Sequence, residues 1–316
     1  VTLGVNLDEL KRFASSKRIP LGTTEKDYVL TVALMQLSKS RYARQFIFKG
    51  GTAIKKVYFP EARFSEDLDF NFFDIPNDEL VAEILKLFSG RAILEVGFKE
   101  IKDKEIADNK VSLRLQYMAQ LSHSNSVWLH FHSGEPTLLT PDWWKPKDDY
   151  DIARRMTCEH LNFGMLGSGF PNYSCKLGRF WAFGDSRKTC LDCRMEAPRR
   201  SEPIPSAFRA MSLEEILAEK VRACIVRGRP RDLWDIWFLQ SKGIRLDYGM
   251  IVDKLRRYEQ FRELIPSLGE IREKLDRIEP EWDRDLGVLV PTKPYPTFQE
   301  TMENVVNSLR TCGWKE

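Results

Sequence analysis

A chain of 316 residues with 42% hydrophobic content can bury one large core or two modest ones, which excludes both a disordered chain and a small disulfide-stapled scaffold. Forty-nine Lys and Arg against 46 Asp and Glu leave a formal charge of +3, too little for net charge to name a polyanionic partner, so local clusters must carry that argument. No run approaches the roughly 20 apolar residues of a membrane span, and Val1-Thr2-Leu3-Gly4 carries no leader pattern; a cytoplasmic protein with no membrane partner is expected.

In chain order, Asn6-Leu7-Asp8-Glu9 opens a helix, and Thr24 precedes a second that runs through Leu37. Phe46-Ile47-Phe48 reads as a short strand ending at Gly50-Gly51, Thr52 to Tyr58 as a helix, and Arg63 to Phe73 as an alternating strand. Leu80, Ile84 and Leu87 mark an amphipathic helix. Val111 to Tyr117 and Val127 to His132 form two strands about the turn Ser122-His123-Ser124-Asn125. From about residue 140 to 205, proline, tryptophan, glycine and four cysteines replace the helical period, as in an inserted module. Ser212 with Glu215 predicts a capping box opening a helix to about Val226; Gly228 and Pro230 then break it, with a restart at Arg231. Tyr248 to Arg257, Phe261 to Ile278 and Thr297 to Arg310 are helical in pattern. The division expected is 1–139, 140–205 and 206–316, in an α+β fold whose mixed sheet is flanked by helices.

The chemistry concentrates in Gly50-Gly51-Thr52 and in Arg63-Phe64-Ser65-Glu66-Asp67-Leu68-Asp69-Phe70. Strand alternation puts Arg63, Ser65, Asp67 and Asp69 on one face, and two carboxylates that close repel unless a cation joins them. Hard oxygen ligands two residues apart suit Mg2+ bridging triphosphate oxygens. Gly50 and Gly51 let backbone N–H groups at the next helix approach phosphates, with the Thr52 hydroxyl and Arg63 expected to add to that cradle. Further on, Lys220 and Arg227 share one helical face, and Asp232 stands on the next helix, so lysine and carboxylate can meet across the turn.

Phe48-Lys49-Gly50-Gly51-Thr52-Ala53, Arg63-x-Ser65-x-Asp67-x-Asp69, Leu213 to Lys220 and Arg231-Asp232-Leu233-Trp234-Asp235 together resemble the AbiEii/AbiGii toxin-type nucleotidyltransferases, and Glu25-Lys26-Asp27-Tyr28 fits the same family's early helix. The resemblance implies a DNA polymerase beta-like core with a helical C-terminal region. It also implies Mg2+ on Asp67 and Asp69, an NTP substrate, and Lys220 and Asp232 completing the active site. Members are toxins paired with an antitoxin, and some add nucleotides to the tRNA 3′ end. One departure concerns the third carboxylate of many such enzymes. Alternation through Val127-Trp128-Leu129-His130-Phe131-His132 puts His130 where that acid is expected, Asp192 being the alternative.

Cys158, Cys175 and Cys190-x2-Cys193, with His160 as a variant ligand, can be read as a structural Zn2+ site or as small buried core thiols. Trp143, Trp144, Tyr173, Phe180 and Trp181 interleave with Lys145, Lys147, Arg154, Arg155, Lys176 and Arg179, a mix that suits either an unpaired RNA end or an ordinary small core.

Overall fold

The computed structural model describes residues 4–135, 137–144, 150, 161–165, 171–175, 208–291 and 293–316. Helix α1 (Leu7–Lys17) is closed at its start by a complete capping box, in which Asn6 accepts from the Glu9 amide and Glu9 accepts from that of Asn6. Helix α2 (Leu21–Leu37) is apolar around its circumference and buried along nearly its whole length, as a helix between core layers must be.

The sheet is built from β1 (Phe46–Lys49), β2 (Asp67–Phe72), β3 (Ala92–Ile93), β4 (Val96–Phe98), β5 (Lys104–Ala107), β6 (Lys110–Met118), β7 (Ser124–His132), β8 (Asp142–Trp144) and β11 (Phe208–Ala210). Its order is β3-β4-β6-β7-β2-β1-β11-β8, with β5 also paired to β6; β2–β7 and β1–β11 are parallel and the remaining pairs antiparallel, so the sheet is mixed. Helix α4 (Asn77–Phe88) turns Leu80, Ile84, Leu87 and Phe88 into the core.

Register decides what each face carries. Phe48 pairs with Phe70, and Phe70 with Phe131, so one face is an aromatic stack with ring centroids 5.0 and 5.3 Å apart. Such pairs contribute about 0.5–1.5 kcal/mol beyond burial and fix strand register. The opposite face then necessarily holds Lys49, Asp69 and His130, side by side on β1, β2 and β7.

Two expectations are corrected. The strand expected from Arg63 begins at Asp67, because the Phe64 amide donates to the Leu289 carbonyl at 2.8 Å and Arg63 is drawn to Asp235. Ser212 accepts from the Glu215 amide, but the box is half-formed: the Glu215 carboxylate is taken by the Leu138 and Leu139 amides and by Lys254. The helix expected at Ser212 is preceded by strand β11, since Ile47 and Phe48 of β1 offer an edge to Arg209 and Ala210. Thereafter come α5 (Leu213–Arg227), ended by Gly228 at φ 57°, and α6 (Pro230–Ser241), with proline in its first turn. Helices α7 (Tyr248–Leu255), α8 (Leu268–Asp276), α9 (Trp282–Leu286) and α10 (Phe298–Thr311) complete the chain; α8 starts later than expected because Ser267 and Glu270 form a capping box just after Pro266.

Strands β8 and β11 are neighbours in the sheet, with residues 145–207 between them in the chain. Within it β9 (Leu161–Met165) and β10 (Pro171–Cys175) pair antiparallel, and Tyr150 donates to Asp27 at 3.0 Å. Cys158, His160, Cys190, Asp192 and Cys193 lie outside the described residues, as does the side chain of Cys175, and the zinc expectation with them.

Candidate active site

A cleft of about 590 Å³ opens between the polar face of the sheet and helices α5 and α6. Among the expected residues it brings together Gly50, Gly51, Arg63, Ser65, Asp67, Asp69, Lys220, Arg227 and Asp232, drawn from segments more than 150 positions apart. Thr52 is not in its wall. That side chain is 2% exposed and its hydroxyl donates to the Asp67 carbonyl at 2.5 Å, so Thr52 anchors β2 instead of offering a hydroxyl to phosphate.

Gly50 starts the short helix α3 (Gly50–Ala53) at φ 81°, and a Cβ there would stand 2.5 Å from Asp69 Oδ2. Both the backbone and the carboxylate demand glycine. Gly50→Ala is therefore expected to displace Asp69, lowering stability by about 1–2 kcal/mol and activity at least tenfold; thermal melts and product formation on the same sample check this, and unchanged turnover would contradict it.

Asp67 and Asp69 accept no hydrogen bond and join no ion pair among the described residues. Burial raises the Asp67 pKa above its ordinary value, and the charge of Asp69 raises it further. His130 and Arg231 offset that rise only in part, and two carboxylates side by side on a strand fit Mg2+. His130 is the register partner of Asp69, lines the cleft, and its Nδ1 bonds Ser112 Oγ at 2.8 Å. Next along the strand, burial and Lys49 push His132 down to about 4, so it is neutral near pH 7. Among the described residues no group of three His, Cys, Asp or Glu could hold a metal ion.

Facing the carboxylates is a cationic edge that buried acids hold in place. Lys220 lies 3.2 Å from Asp232 and 2.8 Å from Asp235; Arg227 makes two bonds to Asp232 at 2.8 and 2.9 Å. Arg63 binds Asp235 through two nitrogens at 2.8 and 2.7 Å and is 4% exposed, so its charge is committed to that carboxylate rather than to the cradle. Burial pushes the Asp232 carboxyl up, but Lys220 and Arg227 outweigh it and hold the group below the usual carboxylate range. Asp232 thus aims cations and is a weak proton acceptor. Glu66 does the same for Arg231 at 2.7 Å, and is itself held by Lys26 of the early helix motif at 3.0 Å.

Sequence reasoning missed the far end of the cleft. Lys49 pairs with Glu135 at 2.8 Å, Arg222 with Glu219 at 2.6 Å, and buried Lys254 with Glu215 and Glu219 at 2.9 and 2.7 Å, with Tyr258 bonded to Arg222. The lysine closing the apolar strand Phe46-Ile47-Phe48 and the i,i+3 pair Glu219–Arg222 on the helix that carries Lys220 were the signals available; Glu135, Lys254 and Tyr258 come from segments that only the fold assembles.

A paired-carboxylate strand after a glycine turn, opposed by preset cations, is an arrangement suited to nucleoside phosphates. The family model described as nucleotidyl transferase AbiEii toxin, type IV toxin–antitoxin system, matches residues 32–133 and 191–304. The chain belongs to that family and is a nucleotidyltransferase. Among solved structures it is similar to MenT4, a nucleotidyltransferase toxin from Mycobacterium tuberculosis H37Rv, at 17% identity and a TM-score of 0.60, over 96% of this chain and 88% of that one. JHP933 from Helicobacter pylori aligns at 14% identity and a TM-score of 0.47, over 93% of each chain. Among curated proteins none matches. No helix among the described residues is long and apolar enough to cross a membrane.

Proposed function

We propose that the chain transfers a nucleoside monophosphate from an NTP to an acceptor hydroxyl, with Asp67 and Asp69 holding Mg2+. The observation that carries this reading is the carboxylate pair without a partner, facing Lys220 and Arg227 across the cleft. When bound, Mg2+ would offset charge on the triphosphate and polarise the α-phosphoryl group. Gly50 and Gly51 leave room for phosphate oxygens beside the α3 amides, while Lys220 and Arg227, preset by Asp232 and Asp235, stabilise charge without reorganising. The acceptor oxygen bonds to the α-phosphorus, the α–β bridge breaks, pyrophosphate leaves and the hydroxyl proton is released.

The acceptor favoured is the tRNA 3′ end. Eight cationic side chains line the cleft against five carboxylates, and Arg229, exposed at the rim, has no acidic partner among the described residues. Family membership supports a toxin held in check by an antitoxin, acting in the cytoplasm. The test incubates the full chain with total tRNA, Mg2+ and each α-labelled NTP. Label in RNA is expected. Label in protein alone would replace RNA with a protein hydroxyl as acceptor, and label nowhere would leave a nucleotide-binding relative without turnover.

A further inference from the structure

The cationic edge and the carboxylates account for the phosphates of a nucleotide but leave its base without a seat. Helix α5 supplies one. At 3.6 residues per turn, Lys220 and Arg227 share one edge of the helix, Ala223 comes next around the circumference, then Val226 with Glu219 two turns below, then Arg222 on the far edge; Glu219 is turned to Arg222 and Lys254. All six helix residues line the cleft. Beyond Arg222 stands Tyr258, whose hydroxyl accepts from the guanidinium and whose ring centroid lies 5.2 Å from it. Ala223, Val226 and the Tyr258 ring are the apolar surface in a lining otherwise made of charged and polar side chains, glycines and the two histidines.

A nucleotide has one flat apolar part, and this strip is where it can leave water. We infer that Ala223, Val226 and Tyr258 form the nucleobase seat, with Arg222 as the donor at its end. The inference rests on the nucleotidyl-transfer reading above. A nucleotide lying across α5, phosphates on the Lys220 edge, sets its base against the small Ala223 side chain and its outer rim at Tyr258. Arg222 is fixed there by Glu219, itself bound to Lys254, so the donor is aimed before the base arrives. Ala223 is 8% exposed and presents its small side chain at the cleft wall; Tyr258 sits just after α7 and adds an aromatic edge.

The experiment measures equilibrium binding of each NTP and of inorganic tripolyphosphate to the full chain, in wild type, Ala223→Leu and Tyr258→Leu. Leucine suits a helix, and at position 223 it fills the seat. Both variants are expected to weaken NTP binding, by about tenfold for the loss of one stacking surface, while tripolyphosphate, which has no base, binds as in wild type and shows that fold and phosphate site are intact. Equal NTP affinity in Ala223→Leu and wild type would overturn the inference, as would parallel loss of NTP and tripolyphosphate. Wild type that binds neither ligand would instead overturn the nucleotidyl-transfer reading on which the seat depends.

Discussion

Asp67→Asn is expected to abolish nucleotidyl transfer and to make the protein more stable. Loss of an outer-shell partner to a metal ligand already costs about 10–100-fold, so removing a ligand carboxylate itself should cost more than about 100-fold. Stability moves the other way. Burial and Asp69 raise the folded-state pKa of Asp67 above its unfolded value, so folding disfavours the ionised form, and stability is lost as pH rises through that range. At neutral pH the carboxylate therefore destabilises the empty protein, and asparagine removes that charge at nearly the same volume. The gain should be about 0.5–2 kcal/mol, typical of substitutions that relax a functional site, and should vanish below the pH at which Asp67 is protonated in both states. Urea titrations at pH 7 and pH 3 beside label-transfer assays check both halves. A variant that retains a tenth of its activity, or that melts earlier, would remove the pair from the account.

Lys254→Met should produce the largest loss of stability. Lys254 is 1% exposed and its ammonium group lies between Glu215 and Glu219, so its removal leaves buried Glu215 with only the Leu138 and Leu139 amides and Glu219 with Arg222. Breaking one side of such a buried cluster costs about 3–5 kcal/mol. Burial pushes Glu219 up, but Lys49, Arg222 and Lys254 together hold it well below the usual carboxylate range. A depressed carboxyl contributes stability that is complete above its unfolded pKa of about 4.3 and is lost as pH falls toward the folded value. The gap between wild type and variant should accordingly be widest near pH 7 and narrow below pH 4. A gap independent of pH would mean that Lys254 acts by packing its stem rather than by its charge. Since Glu215 also accepts from the Leu138 and Leu139 amides, adding Glu215→Gln should restore part of the loss while keeping an acceptor for them.

What the sequence disclosed and what it hid follow one physical division. Local pattern was legible: alternation about Asp67 and Asp69, the glycine turn, the Gly228-Pro230 break and the β6–β7 hairpin all depend on residues a few positions apart, and each stands in the structure. The meeting of Lys220 with Asp232 was legible for the same reason, being a contact across one turn. Partners far away in sequence were not. Arg63 looked free to meet phosphate because nothing near it marks Asp235 as its partner, 172 positions away. Thr52 looked available until β2 brought the Asp67 carbonyl to it. The half-formed box at Ser212 failed likewise, when Lys254 and a distant loop competed for Glu215. A site assembled from β1, β2, β7, α5, α6 and the turn after α7 shows its backbone-borne part in sequence and hides the side chains that only tertiary packing recruits.

The most direct test of the central claim gives the full chain, total tRNA and Mg2+ one NTP labelled at either the α- or the γ-phosphorus. Nucleotidyl transfer at Asp67 and Asp69 moves the α-label into acceptor and releases the γ-label as pyrophosphate, with both signals lost in Asp67→Asn. Acceptor labelled from the γ-position, or α-label transferred equally well by Asp67→Asn, would contradict it.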